Sequence, residues 1–308
     1  MMKAYFLPAD GEAHHYTDSG GLIGIIQNRA LWATNIQFLN DSLEFDFGLQ
    51  RVTAAMKSGL DRVRNCDSGN TPFSEALEKS VETAVNLLEG VGKDSKSAQF
   101  VCCFSSFPDD LSQWRGYARE GYCITFDAEQ LMASITDHQD DKRSVRSAPV
   151  TYGDGTEWGA IEYMDTVLAR MHEILDQKDL NFEDYGYSET DPFSGGFVKA
   201  NDRHTLSALA GVAAVQQSIP FRKDAGFADE QEIRVCVSYP KAVKFRPSRI
   251  GPLPYTELKF DPAAIKTVTV GPGLNTELRQ ATLESLLTYE FGKDHEIEVK
   301  TTELSFRG

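Results

Sequence analysis

The segment Glu230-Gln231-Glu232-Ile233-Arg234-Val235-Cys236-Val237-Ser238-Tyr239 alternates polar and apolar residues with the period of a β-strand. Ile233, Val235, Val237 and Tyr239 fall on one face, and Glu230, Glu232, Arg234, Cys236 and Ser238 on the other. Two carboxylates and a guanidinium sharing a face keep a carboxylate charged, because a cation within about 4–6 Å favours ionisation. A charged carboxylate so held accepts hydrogen bonds from hydroxyls, steadies a developing positive charge, or takes up a proton. A half-exposed antiparallel strand with a solvated outer face has the same alternation, so the pattern alone does not choose between them.

His14-His15-Tyr16-Thr17 stands just before a helix, and adjacent strand residues point to opposite sides, so only one of the two imidazoles faces a given site. We assign that place to His15. The other histidines (His138, His172, His204, His295) are scattered and no His-Glu-x-x-His occurs, so the sequence gives metal chemistry no support. Cys102-Cys103-Phe104-Ser105 reads as a buried strand, followed by Trp114 and Tyr117. Three apart on one helical face, those two rings with a hydroxyl beside them would form a wall on which a planar ligand stacks; the alternative is that both are core, and for Trp114 taken alone core is the preferred reading. With no base partner in view, Cys102, Cys103 and Cys123 are not expected to act as nucleophiles.

Two further patterns are weaker. Gly271-Pro272-Gly273 between a strand and a helix suits a phosphate-binding turn, and a plain sharp turn equally well. Lys241, Lys244, Arg246 and Arg249 place four cations within nine residues, and Lys244 and Arg246 are the candidates for touching a nucleic-acid backbone. A solvated face is the ordinary explanation of such a run.

The elements that must position these groups follow from caps and periodicity. The polar turn Thr17 to Gly21 precedes a helix carrying Leu22, Ile25 and Ile26, then a short strand Ala30–Thr34. Asn40-Asp41-Ser42 offers an N-cap for a helix from about Leu43 to Arg62, and Thr71-Pro72 opens a second helix through Leu88. Further strands are expected at Phe100–Ser105, Gly121–Asp127, Glu230–Tyr239, Ala263–Val270 and His295–Leu304. Helices are expected from Ala128, over Trp158–Leu175, over Thr205–Gln217 and over Thr276–Tyr289. Asp179–Gly196 reads as an irregular loop. Helices interrupting short strands without a regular βαβ rhythm indicate an α+β fold.

Composition sets outer limits. The 308 residues include 31 basic and 46 acidic side chains, a net charge of −15, which repels polyanions on average and argues against general coating of nucleic acid. Five cysteines, an odd number with no Cys-x-x-Cys, point to reducing cytosol rather than a disulfide framework or thiolate metal site. No signal peptide and no apolar run of about 20 residues is visible, so a cytoplasmic chain without a membrane partner is expected.

Taken together, His15-Tyr16-Thr17, Leu31-Trp32-Ala33-Thr34 with Asn40, Asp41 and Glu44, Cys103-Phe104-Ser105 with Trp114 and Tyr117, and Glu230-x-Glu232-x-Arg234 look like an uncharacterised bacterial family. That family resembles, at a distance, ADP-ribosyltransferases of the DNA-targeting toxin type. The resemblance runs from about Tyr5 to Val270 and implies one domain over residues 1–308 with a mixed, largely antiparallel split sheet. Helical insertions would occupy about 43–95 and about 128–218. It implies a bacterial toxin or phage-defence effector that cleaves NAD as substrate, uses no metal, and transfers ADP-ribose to a macromolecule, with RNA or DNA among the candidates and an antitoxin as a further partner. Glu232 would be the catalytic glutamate, with Glu230 beside it, hydrogen-bonding the nicotinamide ribose and stabilising the oxocarbenium-like charge. His15, with Tyr16 and Thr17, would hold the adenosine-side ribose. Phe104 or Ser105 would lie near the nicotinamide, and Trp114 and Tyr117 would pack its pocket. Asn40, Asp41, Arg234, Lys244 and Arg246 would complete the substrate-binding set. The departures are a histidine where some relatives have arginine, no clear Ser-Thr-Ser strand, and two extra helices after Glu44. A NAD glycohydrolase with water as acceptor, and a fold that binds a nucleotide or partner without chemistry, are the alternatives.

Overall fold

The structure is a computed structural model that describes residues 11–39, 44–65, 74–91, 99–137, 145–153, 160–177, 202–238 and 240–304. In chain order the elements are β1 (Glu12–Thr17), α1 (Ser19–Asn28), β2 (Ala30–Asn35), α2 (Glu44–Arg64), α3 (Glu75–Val91), β3 (Gln99–Ser105), α4 (Leu111–Gln113) and β4 (Tyr122–Asp127). Then come α5 (Ala128–Asp137), β5 (Val145–Pro149), β6 (Thr151–Tyr152), α6 (Ala160–Asp176), α7 (Arg203–Ser218), β7 (Arg222–Lys223) and β8 (Glu232–Ser238). The chain ends with β9 (Lys244–Ser248), β10 (Gly251–Lys259), β11 (Ile265–Val270), α8 (Thr276–Phe291) and β12 (Glu298–Thr301).

The chain forms two compact units. One comprises Met1–Asn35, Phe100–Val150 and Gly226–Gly308, and the other comprises Ile36–Gln99 and Thr151–Ala225. α5 and β5 belong to the unit that holds the sheet.

The first unit is built on a ten-stranded, mostly antiparallel sheet in the order β12-β11-β4-β1-β3-β2-β10-β9, with β8 paired to β3 and β5. The architecture is therefore mixed α and β with an antiparallel sheet, as the broken strand rhythm implies. One face is apolar. Ala13, Phe104, Ile124, Phe126, Ile233, Val235 and Val237 share a core with Leu22, Ile25 and Ile26 of α1, Leu131 and Ile135 of α5, and Leu283 and Leu287 of α8. In the polar turn before α1, Asp18 is the cap, accepting from the Gly21 N–H at 2.7 Å, and Asp127 caps α5 by accepting from the Gln130 N–H at 2.9 Å.

Lys244–Lys259, which the sequence presents as a basic run with prolines, is the hairpin β9–β10. Pro252 faces Pro247 and Pro254 faces Phe245 across it, on the part of β10 that does not reach β2. Proline donates no ladder hydrogen bond, so it is tolerated where a strand has a neighbour on one side only.

The second unit is helical. α6 and α7 approach closely enough that a Cβ at Gly211 would lie 2.7 Å from the Met171 sulfur, and Ser207 Oγ donates to the Met171 carbonyl at 2.9 Å. Arg62 of α2 pairs with Asp165 of α6 at 3.2 Å. α3 begins at Glu75 with the Ser74 hydroxyl accepting from the Leu77 N–H at 3.1 Å, in place of the expected cap at Thr71. Thr71-Pro72, the Asp179–Gly196 loop, and Asn40 and Asp41 lie outside the described residues.

Candidate functional site

The faces of the first unit's sheet sort the candidate residues. His14 stands opposite Ser105 on β3 and Thr125 on β4, and directly opposed residues of an antiparallel pair point the same way. His14, Tyr16, Cys103, Ser105, Cys123 and Thr125 therefore lie on the face turned away from the apolar core. His15 has the opposite parity. Its ring sits 5.6 Å from the Phe104 ring, a member of the apolar core, and its Nδ1 is 2.9 Å from the Cys103 carbonyl. Burial holds the His15 pKa below its ordinary value, against the weaker raising effect of that carbonyl. On β8 the apolar residues Ile233, Val235 and Val237 join the same core, which puts Glu232 and Arg234 on the other side. His15, expected at the site, therefore lies on the core face, and the histidine that shares the face of Glu232 is His14.

Glu232 and Arg234 are the deepest charged groups there, 6% and 1% exposed. Arg234 Nε donates to Glu232 Oε1 at 2.9 Å and Nη2 to Oε2 at 2.8 Å, a two-pronged contact between residues two apart on one strand. Ser106 ties the end of β3 to the start of β8, its N–H donating to the Gln231 carbonyl at 3.0 Å and its hydroxyl to the same oxygen at 3.1 Å. The Cys103 thiol feels the consequence. Burial first, then the adjacent Glu232 carboxylate, raise its pKa well above the ordinary range, with Arg234 opposing. Burial also pushes Cys102 up to about 12. On β5, Arg146 donates to Ser238 Oγ at 3.0 Å and lies opposite Cys236, adding a second guanidinium to this face.

The aromatic wall is not formed. Trp114–Ala118 is a π-helical turn, and its wider spacing separates the two rings. Trp114 is fully buried in a small cluster with Tyr16, Ala118 and Cys123, and its Nε1 donates to Asp109 at 2.7 Å. Tyr117 is 42% exposed and its hydroxyl donates to Glu230 Oε1 at 3.1 Å. Tyr16 is a structural pin, its hydroxyl donating to the Phe107 carbonyl and accepting from the Asp110 N–H, both at 2.9 Å. Ser105 Oγ accepts from the Phe107 N–H at 3.1 Å, shaping the same loop. Phe104 faces the core with His15, and Thr17 shares their parity.

That loop borders a shallow, open surface hollow lined by Phe107, Asp110, Leu111, Ser112, Asp229 and Gln231, at the head of β8. None of its lining residues was singled out from the sequence. Only the neighbouring Glu230 pointed toward it.

Two patterns find structural explanations. The Gly271 N–H is taken by the Gly121 carbonyl at 2.9 Å, and a Cβ there would lie 2.5 Å from the Trp114 ring, so this glycine serves close packing rather than phosphate. Lys244 pairs with Glu257 at 2.8 Å, and the Arg246 guanidinium lies over the Trp32 ring at 5.4 Å while donating to Thr34 Oγ1 at 3.1 Å. The expected backbone-binding pair is thus engaged within the hairpin and β2. Among the described residues no group of three or more His, Cys, Asp or Glu is placed to hold a metal, and no helix is long and apolar enough to cross a membrane.

Residues 113–235 are similar to the family DUF2971, described as a protein of unknown function. The similar stretch opens in α4 beside Trp114 and closes in β8 just past Arg234, so it contains the ion pair and Tyr117, while His14 and Ser105 lie outside it. No curated protein and no solved structure matches the chain.

Proposed function

We propose that the chain is an ADP-ribosyltransferase that consumes NAD, with Glu232 as the catalytic glutamate and Arg234 as its positioning partner. One observation carries the reading: a two-pronged, nearly solvent-free ion pair on the face of the sheet that also holds the buried His14. Withdrawing both charges from water costs about as much as their attraction returns, so such a pair adds little net stability and is better explained by what it holds in place. A fixed negative charge there stabilises the positive charge that grows on the ribose as its bond to nicotinamide breaks. The bonding pair leaves with nicotinamide, the acceptor supplies a lone pair to C1′, and the acceptor's proton passes through Glu230 to water. His14 takes the place expected of His15. A role as toxin or phage-defence effector follows from the family resemblance alone.

The test is incubation of the purified chain with NAD and candidate acceptors, reading nicotinamide release and mass additions of ADP-ribose. Because Glu232 is buried and paired, Glu232→Gln is not a neutral probe of chemistry. Glu232→Asp, which keeps the charge and withdraws it by one methylene, is expected to retain the fold and lose nicotinamide release. Release by Glu232→Asp at the native rate, or none by the native chain, ends the proposal. Release without any mass addition marks a NAD glycohydrolase.

A further inference from the structure

We infer that the hollow at the head of β8 receives a guanidinium or ammonium side chain of a basic polypeptide, and that this polypeptide is the acceptor; the acceptor role rests on the transfer reading above. The walls join an exposed ring, Phe107 at 48%, to the carboxylates Asp110 and Asp229. No lysine or arginine lines it, and Asp229 makes no hydrogen bond or ion pair among the described residues. A ring face beside carboxylates attracts a cation through both its quadrupole and the charge, and a guanidinium, planar and weakly hydrated, fits that pairing best. Asp110 is fixed for the task, accepting from the Ser112 and Gln113 N–H groups at 2.6 and 3.1 Å, and the Tyr16 hydroxyl holds the backbone on either side.

The same features oppose a nucleic-acid acceptor. A phosphate chain entering here would meet Asp110, Asp229 and Glu230 in a protein of net charge −15. The cations expected to hold such a chain are occupied, Lys244 by Glu257 and Arg246 against Trp32. Gln231 lines the hollow and immediately precedes Glu232, so the hollow lies at the end of the strand that carries the proposed transfer carboxylate.

The experiment titrates the full chain into a fluorescent peptide of alternating arginine and glycine, and separately into fluorescent single-stranded DNA and RNA, reading polarisation. Nicotinamide release from NAD is measured in the same samples. The peptide is expected to bind, more weakly as salt rises, and the oligonucleotides are not. Asp229→Asn and Phe107→Ala should each weaken peptide binding about threefold, and together about tenfold, with unchanged unfolding midpoints. No peptide binding, binding the two variants leave unaltered, or oligonucleotide binding weakened by them overturns the inference. ADP-ribose added only to an oligonucleotide overturns it equally. Peptide bound with no nicotinamide released upholds the cation site and removes the acceptor role along with the transfer reading, so the two failures are distinguishable.

Discussion

On one face of the first unit's sheet, Phe126 meets Phe104 and Phe260 edge-on at ring separations of 6.2 and 5.3 Å; on the other, at a similar depth, Glu232 and Arg234 share two charge-assisted hydrogen bonds. The same strands supply both faces. Burying each phenylalanine stabilises the fold by roughly 1.5–3 kcal/mol. Burying the ion pair returns about what its desolvation takes, so the pair itself adds little net stability. Tyr16 and Cys123, packed with Trp114, supply the apolar burial on that side, and the charged pair stands beyond what the fold needs there.

Breaking the apolar face gives the largest effect. Phe126→Ala should cost about 3–5 kcal/mol in denaturant unfolding, since a wholly buried ring leaves a cavity among rigid neighbours. On the polar face, Glu232→Gln should cost a comparable or somewhat smaller amount, about 3–4 kcal/mol, by stranding the buried Arg234. The sharper measurement is the pair of substitutions Glu232→Met and Arg234→Leu made together. If the ion pair is held for function, the double variant recovers most of that loss while remaining without nicotinamide release. A double variant as unstable as the single one would mean that the pair is structural.

Gly271→Ala tests the join between Trp114 and the turn after β11. Its new methyl would meet the Trp114 ring and the Gly121 carbonyl, and should cost about 1–3 kcal/mol. The smallest effect separates the two histidines. The His15 pKa is lower in the folded chain than its ordinary value of 6.5, so the unfolded chain binds the extra proton first. Its contribution is complete above pH 6.5 and is lost as pH falls below that value. The slope of stability against pH in that window should flatten in His15→Gln, and an unchanged slope would place the responsible group elsewhere.

Much of the fold was legible. The polar turn before α1, the start of α5 at Ala128, the strands Phe100–Ser105 and Gly121–Asp127, and the alternation of β8 all rest on interactions spanning a few residues, which local sequence records. The β9–β10 hairpin was not legible, because prolines argue against a strand unless its missing neighbour is known. Trp114 is core, the preferred reading of its sequence, but the shared wall with Tyr117 was not decided by the sequence, because a π-helical turn changes which residues share a face and nothing in their spacing signals that turn. The hollow draws Phe107, Asp110, Asp229 and Gln231 from two distant loops, so no local motif could have revealed it.

By itself the sequence determined that one of two adjacent histidines faces each side of β1, and that Glu232 and Arg234 share a side of β8. Only the tertiary structure decided that His14, not His15, lies on the glutamate's side, through the pairing of His14 with Ser105 and Thr125. The reason is physical: alternation within a strand follows from backbone geometry one residue at a time, whereas the match between strands is set by register, and a slip of one residue reverses every face.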